Sequence, residues 1–446
     1  MHPPQPAAVS LVPHRMNTVK ILVLGAGARE HAIITALLRE GVHEVVSAGG
    51  NSGIAAQVPV VDVDMLDGAA VAALAADGEF DLVVVGPEAP LVAGVCDAVE
   101  AAGVPVFGPS QRAAQLEGSK TFAKQVMSAA GVPTGAVKRV TTREEAEAAM
   151  DAAGAPWVLK ADGLAAGKGV IVTRDRAAAL AHVDAYIGVG PLLVEEFLSG
   201  PEVSLFFLSD GETVVPLAPA QDFKRLRDGD EGPNTGGMGA YSPLPWLDER
   251  FGSEADFVAE VRRTVAEPTV RQLAADGTPF AGLLYCGLIL TDDGIRVIEF
   301  NARFGDPETQ VVLPRLRSPF GEALLAAATG RLHEIDELEF DDGAAVTVVI
   351  ASEGYPDAPQ TGRYMTGLRP ASEVAGVTLI HAATKRQDDQ WFATGGRVLN
   401  VVAQGADLAE ARERAYEAVS LVQLQGAQHR TDIAQRAAEG AAGADA

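Results

Sequence analysis

The segment Lys20 to Leu24 (KILVL) runs straight into Gly25-Ala-Gly27-Ala-Arg29-Glu30, and this junction restricts the fold more than any other stretch. A continuous run of large apolar residues of this length fits a strand buried on both faces. The glycines supply a tight turn, and apolar residues at helical spacing from Arg29 to Arg39 make the next element a helix. Further strand patterns follow at Glu44 to Ser47, Asp81 to Val85 and Val104 to Phe107, with a helical pattern through Ala93 to Ala101. Strands alternating with helices predict a parallel sheet covered on both sides. The first domain is therefore expected to be a doubly wound α/β unit over residues 19–117.

The turn is similar to the G-x-G-x-x-G fingerprint of dinucleotide sites but departs from it twice. Glu30 stands where the third glycine would be, and a long side chain there is expected to obstruct close helix–strand packing. The acidic residue that should end the second strand is replaced by Ala48-Gly49-Gly50-Asn51. A dehydrogenase reading fails on both points. Two readings remain: a plain turn without ligand, or a contact to a phosphate or small substrate at a helix N-terminus, where free N–H groups favour anions.

From Gly118 the pattern changes to mixed strands, glycine-rich loops and dense polar motifs. Lys160-Ala-Asp-Gly-Leu-Ala-Ala-Gly167-Lys168-Gly169 lies between two strand patterns, Trp157 to Leu159 and Val170 to Thr173. A flexible loop with a lysine at each end can fold over polyphosphate. The spacing is not that of a Walker loop, and no helix follows; a plain hairpin turn is the bland alternative. Leu193-Val194-Glu195-Glu196-Phe197-Leu198 can form an adenine slot, although acids after a strand are usually a solvated edge.

The sharpest signal is Glu299-Phe-Asn301-Ala-Arg303-Phe-Gly-Asp306-Pro-Glu308. Glu299 and Asn301, two apart on a strand, share one face. Two hard oxygen ligands there suit Mg²⁺, which takes few protein ligands and completes its shell with phosphate and water. Arg303 adds a permanently charged planar fork for a transferring phosphoryl group; a simple surface pair of Glu299 with Arg303 leaves the rest of the cluster unexplained. Upstream, Gln221-Asp222-Phe-Lys224-Arg225 leads into Gly232-Pro-Asn234-Thr235-Gly236-Gly237-Met-Gly239, which reads either as a linker or as a substrate-embracing loop.

The balance of the chain fits a globular enzyme: 446 residues, 48% hydrophobic and 21% charged, enough for two to four packed units. A net charge of −25 argues against nucleic acid or an anionic membrane as partner, so cations must be concentrated in any phosphate site. Cys96 and Cys286 lie far apart in apolar runs and read as buried free thiols in a reducing compartment. No run approaches the roughly 20 apolar residues of a membrane span, which points to a soluble, cytoplasmic protein. Residues 1–18 are proline-rich without an apolar core and read as a disordered extension, with Met16 an alternative start. The core is expected over 118–329, with a lid at about 135–195, a C-terminal mixed domain over 330–436 and a disordered tail over 437–446.

Taken in order, GAGAREHA, GPEAPL, QLEGSK, KADGLAAGKGV, VEEFL, QDFKR, GPNTGGMGAYSP and EFNARFGDPETQ resemble the motif series of the phosphoribosylamine–glycine ligases, members of the ATP-grasp superfamily. The match runs from about Lys20 to Ala437. It implies an N-terminal α/β domain, an ATP-grasp core with a mobile lid, and a small C-terminal mixed domain. It implies that Lys120, Lys160, Gly167, Lys168 and Gly169 handle the ATP phosphates, while Glu195, Glu196, Phe197 and Leu198 hold adenosine. Glu299 and Asn301 would bind Mg²⁺ or Mn²⁺, and Arg303, Lys224 and Asp222 would act in catalysis. The substrates glycine and 5-phosphoribosylamine would meet Gly27, Arg29, Glu30, Glu88, Asn234, Thr235, Gly236, Gly237, Asp306 and Glu308. The strand before Glu299, Leu283 to Leu290, departs from the superfamily in carrying no acid. We expect a monomer, with small molecules as partners and transient contacts to neighbouring purine-pathway enzymes. Rival readings are an ATP-grasp ligase for another acid, such as formate or bicarbonate, and a catalytically silent nucleotide binder.

Overall fold

In the computed structural model, which describes residues 18–164 and 169–440, strand Lys20–Leu24 lies at the centre of a five-stranded parallel sheet. The order is Val60–Val61, Glu44–Ala48, Lys20–Leu24, Leu82–Val85, Val106–Phe107. Ile21 to Leu24 are fully buried, as a strand covered on both faces requires. The helix expected through Ala93 to Ala101 is broken: Gly94 takes φ 86°, ends helix Glu88–Ala93 and begins Val95–Ala101. A left-handed glycine is a common helix terminator because it has no Cβ to clash.

Glu30 does not obstruct the first turn. Its carboxylate folds back into space left by two glycines; a Cβ on Gly25 would lie 2.3 Å from Glu30 Cγ, and one on Gly86 would lie 2.1 Å from Oε1. Gly27 N donates to Glu30 Oε2 at 2.7 Å, so the residue caps its own helix Ala28–Arg39 from inside. The expected clash is replaced by a fitted plug.

Residues Val137–Val140, Leu192–Glu195, Trp157–Ala161 and Val170–Thr173 form a four-stranded antiparallel sheet. With helices Arg143–Ala153 and Arg176–Tyr186 it encloses its own small core around Met150, Leu159 and Val183. The central antiparallel sheet orders Val214–Pro216, Glu202–Asp210, Ala281–Thr291 and Gly294–Asn301, which brings Glu299 opposite Gly287.

A fourth sheet crosses from this core into the C-terminal unit: Gln221–Asp222, Gly239–Ser242, Ala344–Ala351, Arg397–Gly405, Val377–His381. Gly239–Ser242 pairs with the next strand from Gly239↔Val348 to Ser242↔Ala345. A Cβ on Gly239 would stand 2.6 Å from Thr347 O, so the close approach needs glycine there. The short helix Gln435–Ala438 packs on helix Leu408–Leu421 with Ala437 buried, so the ordered chain reaches into the stretch expected as a disordered tail. The expected extension before Thr18, residues 441–446 and the loop residues Gly167 and Lys168 lie outside the described residues.

Candidate active site

Lys160, on strand Trp157–Ala161, and Glu195, at the end of the neighbouring strand Leu192–Glu195, form a buried pair with Nζ 3.0 Å from Oε2. The same oxygen is 3.2 Å from Lys124 Nζ. Glu195 was expected to help hold adenosine; here its carboxylate pairs with two lysines. Lys120, the first residue of helix Lys120–Ala130, donates from Nζ to Gly163 O at 3.0 Å. Asp162 Oδ1 accepts from Ser119 Oγ at 3.2 Å and Thr121 N at 3.3 Å, docking the start of the glycine loop on this helix. A cation at the positive end of a helix is unfavourable, and burial already lowers the Lys120 pKa against the pull of Glu299. Such a group fits a site built to receive an anion.

Glu299 is half-buried, and desolvation alone would raise its pKa; Lys224, Lys160, Lys120 and Arg303 outweigh this and hold it ionised. Arg303 follows on the same strand end. Its Nη2 lies 2.9 Å from Glu117 Oε1 and 3.5 Å from Asn301 Oδ1, and its Nε lies 3.5 Å from Glu88 Oε2. Burial disfavours the Arg303 charge, but Glu117 and Glu88 more than restore it. Ala302 N donates to Glu117 Oε2 at 2.8 Å, so this carboxylate fixes backbone and guanidinium together. Glu88 also lies 3.9 Å from Arg29, whose Nη1 donates to Phe304 O at 3.3 Å and whose Nε pairs with Glu30 at 2.7 Å. The first domain and the core therefore meet through Arg29, Glu30, Glu88, Glu117 and Arg303.

Asp222 and Lys224 stand on the other side of Glu299. Burial pushes the Asp222 carboxyl up to about 7 against the opposing charge of Lys224, and Glu308, Glu202 and Glu299 push the same way as burial. Lys224 Nζ is 2.6 Å from Glu202 Oε2 and 3.8 Å from Asp222 Oδ1. Glu308 is buried, and its Oε1 accepts from Ser204 Oγ at 3.2 Å and from the Tyr285 hydroxyl.

Not every expected residue points inward. Glu196 and Phe197 are exposed, with Leu198 partly so, and Glu196 Oε2 accepts from Ala136 N at 2.9 Å. Asn234 is exposed on the hairpin strand Glu231–Asn234. Thr235 bonds Lys224 O through both N, at 2.7 Å, and Oγ1, at 2.9 Å. Gly236, Gly237 and Asp306 are all engaged by Arg397 of the C-terminal unit. Gly169 O accepts from Ala161 N at 2.7 Å, closing the base of the glycine loop.

An ionised carboxylate and an amide oxygen two residues apart fit a hard divalent cation that brings phosphate and water oxygens with it. No cluster of three or more acidic, histidine or cysteine ligands occurs among the described residues. Across from Glu299 stands Gly287, where a Cβ would lie 3.2 Å from Glu299 Cγ; the acid-free strand is matched by crowding at that point.

Sequence reasoning passed over Glu117, Lys124, Glu202 and Arg397. Lys124 follows Lys120 by four residues and so shares its helix face, a signal that was available. Glu117 sits inside QLEGSK, though nothing local marks its role. Arg397 opens an apolar strand and carries no local sign of its contacts.

Family models for phosphoribosylglycinamide synthetase match three successive segments: the N domain over residues 19–117, the ATP-grasp (A) domain over 118–309 and the C domain over 345–436. The chain is 64% identical over 423 residues to the phosphoribosylamine–glycine ligase of Leifsonia xyli subsp. xyli, covering 94% of this chain and 100% of that one. It is 51% identical over 430 residues to the same-named protein of Mycobacterium tuberculosis, covering 95% and 99%. The crystal structure of phosphoribosylamine–glycine ligase from Thermotoga maritima superposes with a TM-score of 0.80 at 32% identity, covering 93% of this chain and 100% of that one. The biotin carboxylase domain of Hydrogenobacter thermophilus 2-oxoglutarate carboxylase, at a TM-score of 0.68 and 19% identity over 92% and 91%, shares the fold. By this match along almost its whole length, the chain belongs to the phosphoribosylglycinamide synthetase family.

Proposed function

We propose that the protein joins glycine to 5-phosphoribosylamine with ATP, giving glycinamide ribonucleotide, ADP and phosphate. The observation that carries this reading is the convergence of Lys120, Lys160, Lys224 and Arg303 on the single ionised carboxylate of Glu299. That arrangement suits phosphoryl transfer, which depends on positioning and charge neutralisation rather than on a protein nucleophile.

In the first step a glycine carboxylate oxygen attacks the γ-phosphorus, the bond to the β,γ-bridging oxygen breaks and ADP leaves. Lys120 and Lys160 offset phosphate charge, and Arg303 presents a planar fork to the moving phosphoryl group. Glu299 and Asn301 would hold Mg²⁺ or Mn²⁺, which would supply further charge neutralisation at the phosphates. In the second step the phosphoribosylamine nitrogen attacks the acyl carbon of glycyl phosphate, phosphate departs and the nitrogen loses a proton. Asp222, with its carboxyl near 7, is matched to accept that proton. Exclusion of water from the site protects the labile acyl phosphate.

No helix among the described residues is long and apolar enough to cross a membrane. Two buried free thiols fit a reducing compartment, and we place the enzyme in the cytoplasm, acting as a monomer on small molecules. The test is ADP release with Mg²⁺, glycine and freshly prepared phosphoribosylamine, omitting each in turn. Turnover that needs both substrates supports the reading; turnover with another acid or amine overturns the substrate assignment.

A further inference from the structure

Arg397 opens strand Arg397–Gly405 in the C-terminal unit, far along the chain from the motifs that carry the reaction. Its Nη1 donates to Gly236 O at 2.6 Å and to Asp306 O at 2.7 Å, while Nη2 lies 3.1 Å from Asp306 Oδ2. The remaining Asp306 oxygen accepts from Gln310 Nε2 at 2.7 Å. Gly236 N donates to the hydroxyl of Tyr355, also from the C-terminal unit, at 2.9 Å.

The packing leaves no slack. A Cβ on Gly236 would meet Arg397 Cζ at 3.0 Å, and one on Gly237, at φ +111°, would meet Pro307 Cδ at 2.4 Å. Gly237 N donates to Thr235 Oγ1 at 3.0 Å, and Met238 N to Phe223 O at 2.7 Å. One planar fork thus ties two loops that have no sequence proximity. The first loop holds the backbone of Lys224 through Thr235, and the second leads from Arg303 to Glu308.

We infer that Arg397 is a positioning residue that clamps the loop 234–237 against the Asp306–Pro307 turn and thereby sets affinity for the two non-nucleotide substrates. The identity of those substrates rests on the function proposed above; the clamp itself does not. Lys120, Lys124, Lys160 and Glu195 stand on other elements, so ATP affinity is outside its reach. A lysine is a point charge and cannot span Gly236 O, Asp306 O and Asp306 Oδ2 at once.

The test compares full-length wild type with Arg397→Ala and Arg397→Lys. Both variants are expected to raise KM for glycine and phosphoribosylamine about tenfold or more while KM for ATP stays within about twofold. Added guanidinium ion is expected to restore part of the loss in the alanine variant, and methylammonium is not. Unchanged constants, or a rise of all three together with a lower Tm, would overturn the inference. Deuterium uptake over residues 232–239 provides a readout independent of substrate identity, because a released clamp exposes local opening. Faster uptake in Arg397→Ala supports the clamp even if the wild type uses another acid or amine; uptake equal to wild type overturns it.

Discussion

Lys160 and Glu195 face each other across adjacent strands of the small antiparallel sheet, 3.0 Å apart and each 6% exposed. Lys124 reaches the same carboxylate from a helix outside that sheet. Glu195 therefore couples the small sheet to that helix through the ammonium group of Lys124. Its Oε1 is buried without a partner among the described residues, so the pair is not saturated by protein alone.

Replacing Glu195 by Gln leaves two buried ammonium groups facing a neutral amide. Breaking a buried pair in this way costs about 3–5 kcal/mol. Chemical denaturation of Glu195→Gln should report a loss of that order, with a raised KM for ATP. A variant as stable as wild type would mean the lysines are paired in some other way.

Glu299 makes no close ion pair among the described residues; its cations act at longer range than those at Glu195 and Glu117. Its removal should therefore damage chemistry more than folding. Glu299→Ala is expected to lower turnover at least ~100-fold while far-UV dichroism and Tm stay close to wild type. Near-normal ADP release would remove Glu299 from the metal site.

The Asp222 carboxyl, raised mainly by burial to about 7, gives a pH signature with a definite sign. Folded protein keeps this proton where the unfolded chain, with an ordinary aspartate pKa near about 4, has lost it. Stability from this group is complete below pH ~4 and declines as pH rises towards ~7. The difference in unfolding free energy between wild type and Asp222→Asn should follow that slope. Activity should move the opposite way, rising through pH ~7 as the carboxylate forms, and Asp222→Asn should abolish that limb.

At the first turn, Gly86→Ala places a methyl group on the Glu30 carboxylate, and overpacking of this kind costs about 1–3 kcal/mol. Combining it with Glu30→Ala should cost less than the sum of the two single changes, because the obstruction is gone. Denaturation of the four proteins in this cycle gives the coupling directly; additive effects would show that the carboxylate can move aside.

Much of this was legible in the residues. Lys20–Leu24 announced a doubly covered strand through its continuous apolar run, and Glu299 with Asn301 announced a shared face through period-two geometry, both of which are local. Glu30 was misjudged because local reasoning sees a side chain too large for its turn, whereas the room for it comes partly from Gly86, just past the end of another strand. The pairing of Glu195 with two lysines was not legible, because Lys124 and Lys160 approach it from elements distant in sequence. Arg397 was invisible for the same reason: its partners lie 161 and 91 positions away.

The strand pairing between Gly239–Ser242 and Ala344–Ala351 bears on how the protein can be divided. A shortened gene product ending after residue 330 would keep every motif of the reaction, yet its strand Gly239–Ser242 would lose the neighbour that covers one side. Such an open edge offers unpaired backbone groups to any passing chain, and aggregation follows more readily than catalysis. The C-terminal segment thus covers a sheet edge of the core as well as forming a unit of its own, and the two halves are best expressed as one chain.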